Sequence, residues 1–227
     1  MQSEAKPMSK RFSMKELKSP DKFFKAMLGF INYLRSNVKA YLTFSIVVVV
    51  ITLAYVLVNH INDKREQKAM ASLYILDKQM KSMDSVEPGD YIKIIEAKLD
   101  ELGSTRAGSE ARYMVAELYY KKLDWSNSAK YYEQVVNEAD GLLKDLSVMG
   151  LAYSLENKGL LKEALERFEY LKDHTPDVYK AVALLGIGRC YKKLGEKDKA
   201  LAAYESVIVS YPDTDYARMA SVLKAEI

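Results

Sequence analysis

The chain has 227 residues, of which 34 are Lys or Arg and 31 are Asp or Glu, giving a net charge of +3, with one cysteine and two histidines. A single cysteine excludes an internal disulfide, and so few imidazoles and thiols leave little material for metal or nucleophilic chemistry. Five prolines, ten glycines and few strand-like alternations fit one helical domain with appendages.

Residues 1–18 are polar and basic without a sustained period and read as a flexible tail. Ser19-Pro20-Asp21 looks like a helix start, with Ser19 as cap and Pro20 in the first turn. Over 19–39, Phe23, Phe24, Met27, Leu28, Ile31, Leu34 and Val38 recur at helical spacing among Lys22, Lys25, Arg35 and Lys39. This basic amphipathic helix is either interfacial or simply the charged flank of a membrane span.

The span itself is Ala40 to Val58, within a signal anchor assigned to 40–61. No charge occurs between Lys39 and Asp63, and its residues reach about 28 Å as a helix, close to the hydrocarbon thickness. The run begins far from Met1 and is followed by Asn59-His60-Ile61-Asn62-Asp63 rather than by a small-x-small cleavage site, which favours retention over a cleaved signal peptide. Nine bases and three acids precede it, while Asp63-Lys64-Arg65-Glu66 after it is balanced. The positive-inside rule then keeps the N-terminus cytoplasmic and exports the rest. The excess positive charge therefore belongs to the N-terminal segment, the remainder is slightly acidic, and no nucleic-acid partner is expected.

Within 62–108, Met70, Leu73, Leu76 and Met80, followed by Ile92, Ile95 and Leu99, suggest a juxtamembrane helix and a degenerate hairpin turning at Glu87-Pro88-Gly89-Asp90. Three units with an even step of 36 follow at 109–144, 145–180 and 181–216. In the third, Leu184, Ile187, Gly188 and Tyr191 lie on a first helix, Leu194-Gly195-Glu196 forms a turn, Ala200, Tyr204 and Val207 lie on a second helix, and Pro212 ends it. The second repeats this with Leu151, Ala152, Leu155, Gly159, Ala164, Phe168, Leu171 and Pro176. The first has Val115, Ala116, Tyr119, Tyr132 and Val135, but Leu123 for the turn glycine, Ser128 for the second-helix alanine and Asp140 for the proline. Neither helix of a unit can bury its apolar face alone, so the units must stack. These stretches resemble tetratricopeptide repeats, whose period is roughly 34 residues. The resemblance implies an all-α fold: one N-terminal transmembrane helix, then an α-solenoid of helical hairpins closed by a capping helix at 217–227.

Enzymatic chemistry finds no purchase. His60 and His174 sit in no ligand spacing, and Cys190 fits as a small buried thiol on a first helix. Gly186-Ile187-Gly188 with Lys192 and Lys193 lacks the third glycine of a phosphate loop and follows a loop rather than a strand, so close helix packing accounts for both glycines. Glu117, Glu133 and Glu156 read by default as solvated surface. No cofactor or metal is expected, and the protein is read as no enzyme.

In tetratricopeptide arrays the first helices line the concave face. The resemblance places Tyr113, Glu117, Tyr120, Leu146, Met149, Tyr153, Leu185, Arg189 and Lys192 there, as a groove for protein or peptide partners, while Tyr119, Tyr132, Tyr191 and Tyr204 fall in packing positions. Family members that clamp a terminal carboxylate use Lys and Asn on these faces. Tyr113 and Glu117 stand here instead, so carboxylate clamping is not expected.

The order of tail, anchor and repeats looks like inner-membrane proteins of the YfgM type, ancillary subunits of the bacterial Sec translocon. Ser210 to Ala217 also resembles repeats of periplasmic proteins of the Tol-Pal and outer-membrane assembly systems. The resemblance implies a single-pass bacterial inner-membrane protein with periplasmic repeats, binding exported clients or the Sec translocon as a chaperone-like subunit. The alternative is a scaffold or adaptor of an envelope complex for cell division or outer-membrane biogenesis. An organelle import receptor shares the layout of anchor and repeats with the opposite topology.

Overall fold

The computed structural model describes residues 22–81 and 88–227. The expected tail, the Ser19 cap with Pro20, and Glu87 of the expected turn lie outside them. The chain divides into two units, Met1–Ile61 and Asn62–Ile227.

The first unit holds α1, Lys22–Ser36, and the start of α2, which runs from Val38 to Lys81. The backbone ladder passes through the single irregular residue Asn37: its N–H donates to the Tyr33 carbonyl (3.3 Å) and its carbonyl accepts from Tyr41 (3.1 Å). Tyr33 and Tyr41 meet edge to face at 6.4 Å across it. Every residue from 38 to 58 is exposed. That surface of valine, isoleucine and leucine suits hydrocarbon, where a helix satisfies the backbone without water. Its threonine hydroxyls are turned inward: Thr43 Oγ1 donates to the Ala40 carbonyl (2.9 Å) and Thr52 Oγ1 to that of Val48 (2.8 Å). Among the described residues this is the one helix long and apolar enough to cross a membrane. Whether the helix would end near residue 59 is open from sequence; it continues unbroken to Lys81.

The second unit is all helix: the remainder of α2, then α3 Pro88–Leu102, α4 Arg106–Lys121, α5 Trp125–Glu138, α6 Gly141–Lys158, α7 Leu161–His174, α8 Asp177–Lys193, α9 Lys197–Ser210 and α10 Asp215–Ala225. Pro88-Gly89-Asp90, expected as a turn, is instead the first turn of α3, where proline at a helix start loses no hydrogen bond. Ala69, Leu73 and Leu76 of α2, Ile92, Ile95 and Leu102 of α3, and Ala107, Ala111 and Val115 of α4 share one core. Glu96 pins this region to α4 and α5, accepting from Tyr119 Oη (3.0 Å) and Tyr131 Oη (2.7 Å), whose rings stack 5.8 Å apart.

Helices α4/α5, α6/α7 and α8/α9 form three hairpins, and α10 closes the stack against α9 and α8. First helices α4, α6 and α8 also pack on one another, whereas no comparable packing joins α5 to α7 or α7 to α9. The stack is therefore tighter on the first-helix side, which makes that side concave. Tyr132, Phe168 and Tyr204 are the large buried rings of the second helices. Each needs a glycine opposite: a Cβ at Gly150, Gly186 or Gly188 would lie 2.3, 2.5 or 2.3 Å from the ring of Tyr132, Phe168 or Tyr204 respectively. Tyr119 and Tyr191, expected to pack, are partly buried at the core edges. Ser128 departs from the family's alanine for a reason the fold supplies. It is fully buried, donating to the Ala116 carbonyl (3.1 Å) or pairing with Ser154 Oγ (2.9 Å).

Candidate peptide-binding face

Helical spacing carries the candidate groove residues to one side of each first helix. Tyr113, Glu117 and Tyr120 stand at i, i+4 and i+7 of α4 and are all partly exposed. Leu146, Met149 and Tyr153 are likewise partly exposed on α6, and Arg189 and Lys192 on α8. Leu185 is the exception and is corrected here: it is only 3% exposed, in a core with Ala200, Tyr204, Val207 and Ala220. The capping helix α10 closes over that end of α8, so a residue on the groove side by spacing becomes interior by neighbourhood.

The face is aromatic and its rings are fixed. Tyr113 meets Tyr132 edge to face at 5.7 Å, Tyr120 meets Trp125 at 4.8 Å, and Tyr153 meets Phe168 at 5.4 Å. Burial, followed by the Glu117 charge, pushes the Tyr113 hydroxyl up to about 12, and burial raises Tyr120 and Tyr153 as well. These hydroxyls are therefore protonated donors at physiological pH. Glu117 accepts from Tyr132 Oη.

Glu156 is the residue that sequence reading missed. It is only 5% exposed, not solvated surface, and it bridges two cations of the next hairpin. Arg189 grips it with Nε (3.0 Å) and Nη2 (2.7 Å), and Lys193 Nζ adds a third contact at 2.9 Å. Burial alone would raise the Glu156 carboxyl, but Arg189 and Lys193 outweigh it and hold the group below its ordinary range. The Arg189 guanidinium also lies 5.4 Å from the Tyr153 ring centre, within cation–π range. Asn157 Nδ2 donates to Tyr120 Oη at 3.2 Å, and Lys192 Nζ reaches Glu226 at 2.8 Å. Of the other glutamates, Glu133 does face solvent, with Arg167 at 3.8 Å, while Glu117 is partly buried on the groove.

Elsewhere the chemistry is quiet. Cys190 is buried and its thiol is pushed up to about 12, chiefly by burial, which leaves it unreactive. His60 is exposed, and exposed His174 stacks on Tyr170 at 4.5 Å. Gly186 and Gly188 lie inside α8, each against an aromatic ring.

Residues 32–219 match the model of the tetratricopeptide repeat-like domain. Among solved structures, the nearly identical TPR-like repeats attributed to a kinesin light chain of Podosopora anserina superpose with a TM-score of 0.53 at 13% identity, covering 71% of this chain and 85% of that one. A point variant of the same repeats gives 0.54 over the same shares at 13% identity. YrrB, a TPR protein with an unusual peptide-binding site, aligns at 0.47 and 20% identity over 69% of this chain and 84% of its own. No curated protein matches the chain in sequence.

Proposed function

Because the chain belongs to the tetratricopeptide repeat-like domain family, we propose that it is a non-enzymatic binding protein whose concave face holds extended or partly folded protein segments at a membrane. The observation that carries this is the fixed row of partly exposed aromatics, Tyr113, Tyr120 and Tyr153, running across the first helices of two adjacent hairpins. Rigid tyrosines with Met149 beside them offer contact area at low conformational cost. The apolar part of α2 would tether that face in a bacterial inner membrane, with the N-terminus cytoplasmic and the repeats periplasmic. Tethering near a translocon exit raises effective concentration, so weak contacts suffice. In this reading the protein is a chaperone-like companion of exported proteins, and the Sec translocon is its neighbour.

The deciding experiment places a photo-reactive residue at Tyr120 or Tyr153 in intact cells and identifies the captured proteins by mass. Many exported chains together with translocon subunits support the proposal. One recurrent folded partner makes the protein a scaffold of an envelope complex, a reading favoured by the ion-paired stitch of Glu156, Arg189 and Lys193, which fixes one half of the face in a single arrangement. Capture of cytosolic proteins alone reverses the topology.

A further inference from the structure

We infer that the first hairpin's share of the concave face, Tyr113, Glu117 and Tyr120, receives a lysine or arginine side chain of the bound segment; this rests on the peptide-binding reading above. Glu117 is a partly buried carboxylate whose hydrogen bond is with a neutral group: it accepts from Tyr132 Oη, and the Tyr113 hydroxyl, already raised by burial, is near enough for the carboxylate charge to raise it further. Hydroxyl donors steady a carboxylate without cancelling its charge, and among the described residues Glu117 has no ion pair. Glu156 on the next hairpin shows what this fold does with an acid it means to neutralise, placing two cations on it. Of the cations on the same helix, Arg112 is turned away to Glu138 (3.1 Å) and the Gly103 carbonyl (3.0 Å), Arg106 pairs with Glu110, and Lys121, one turn beyond Glu117, is exposed and forms no ion pair with it.

The surroundings suit a long cationic side chain and not an anion. An aliphatic stem packs on tyrosine rings while its charged head meets the carboxylate, and the rings add cation–π attraction within about 6 Å. The groups that would draw an anion are already engaged: Arg189 and Lys193 on Glu156, Lys192 on Glu226, and the Asn157 amide on Tyr120. Glu117 is thus the unneutralised charge of the face, and it selects segments by a basic residue.

The test uses the full chain in nanodiscs and two labelled peptides of glycine, serine and leucine that differ only in carrying lysine or glutamate at two positions, read by fluorescence anisotropy. The lysine peptide is expected to bind about tenfold tighter, a preference that shrinks as salt is raised. Glu117→Gln, which keeps an acceptor for Tyr132, should erase the preference, and Glu117→Asp should keep most of it. Unchanged melting of Glu117→Gln shows that the fold is intact. If both peptides bind equally, or Glu117→Gln retains the preference, the cation site is overturned and the groove stands. If neither peptide binds, the groove reading falls with it.

Discussion

The two joints between hairpins are built on one register and filled with different chemistry. Across the first joint, Tyr120 of α4 meets Asn157 of α6 through a hydroxyl and an amide. Across the second, Glu156 of α6 meets Lys193 and Arg189 of α8 through full charges. A step of 36 carries Tyr120 onto Glu156 and Asn157 onto Lys193, so these are the same stitch, neutral in one place and ionic in the other. The backbone repeat fixes where side chains meet, and substitution within it decides whether a joint is held by neutral groups or by an ionic clamp. The neutral joint leaves aromatic rings and Glu117 accessible, whereas the ionic joint spends its charges internally.

The largest effect expected is from cutting the ionic stitch. Glu156→Ala leaves Arg189 partly buried without its carboxylate and should cost about 3 kcal/mol, at the lower end for a buried pair because Lys193 and Arg189 keep some water. Urea unfolding of the full chain in micelles measures it. Glu156→Leu with Arg189→Met should recover most of the loss, since apolar replacement of such a pair is often neutral. The stitch is also acid-sensitive: Glu156 titrates below its ordinary range when folded, so its contribution is present above the unfolded value near pH 4 and is lost as pH falls through the folded value. Glu156→Gln should flatten that part of the Tm-against-pH curve. Tyr120→Ala, by contrast, should weaken segment binding while costing less stability than the cut ionic stitch, since only its contacts with Trp125 and Asn157 are lost.

Next is the packing that both joints share. Ala116 and Ala152 occupy the register position of Gly188, yet a Cβ at Gly188 would enter the ring of Tyr204. Gly188→Ala should therefore cost about 2 kcal/mol through overpacking. A smaller loss in thermal unfolding would mean that Tyr204 can swing aside.

Much of this architecture is legible in the sequence. Repeat period, paired helices and buried rings follow from apolar spacing, because burying those faces requires stacked hairpins whatever the partner. The features that spacing does not reveal depend on contacts between hairpins. Leu185 has groove spacing but is covered by α10, which a reading of α8 alone does not include. Glu156 reads as surface because its partners stand 33 and 37 residues on, one hairpin away. Those separations, just either side of the repeat step, are the signal that finds the stitch: oppositely charged residues that far apart on first helices face one another.

The tyrosines of the two flanking hairpins give a finer contrast. Tyr132 Oη donates to Glu117, whereas Tyr204 Oη is buried without a hydrogen-bond partner. The register position of Glu117 is held by Arg189 in the third hairpin, a donor turned toward Glu156, so the Tyr204 hydroxyl has lost its acceptor. Tyr132→Phe should cost about 1 kcal/mol, the net worth of a hydrogen bond to a charged group in a partly wet site, while Tyr204→Phe should be neutral or slightly stabilising. Parallel chemical denaturation of the two variants decides it, and equal losses would remove the distinction between the hairpins.

The smallest effect concerns the turns. Gly159 and Gly195 take φ of 85° and 79°, and the first hairpin keeps the same left-handed turn with Leu123 at 62°. A leucine there is strained by roughly 1 kcal/mol relative to glycine. Its side chain is 67% exposed, so the fold gains little packing in return. Leu123→Gly relieves the strain but frees the unfolded chain, leaving a gain of about 0.5 kcal/mol and a rise in Tm of roughly 1–2 °C. Gly159→Leu and Gly195→Leu, made in parallel, should each lose about 0.5 kcal/mol by the same reasoning. A fall in Tm for Leu123→Gly would show that the leucine side chain contributes packing worth more than its backbone strain, giving the first hairpin a contact the other two lack.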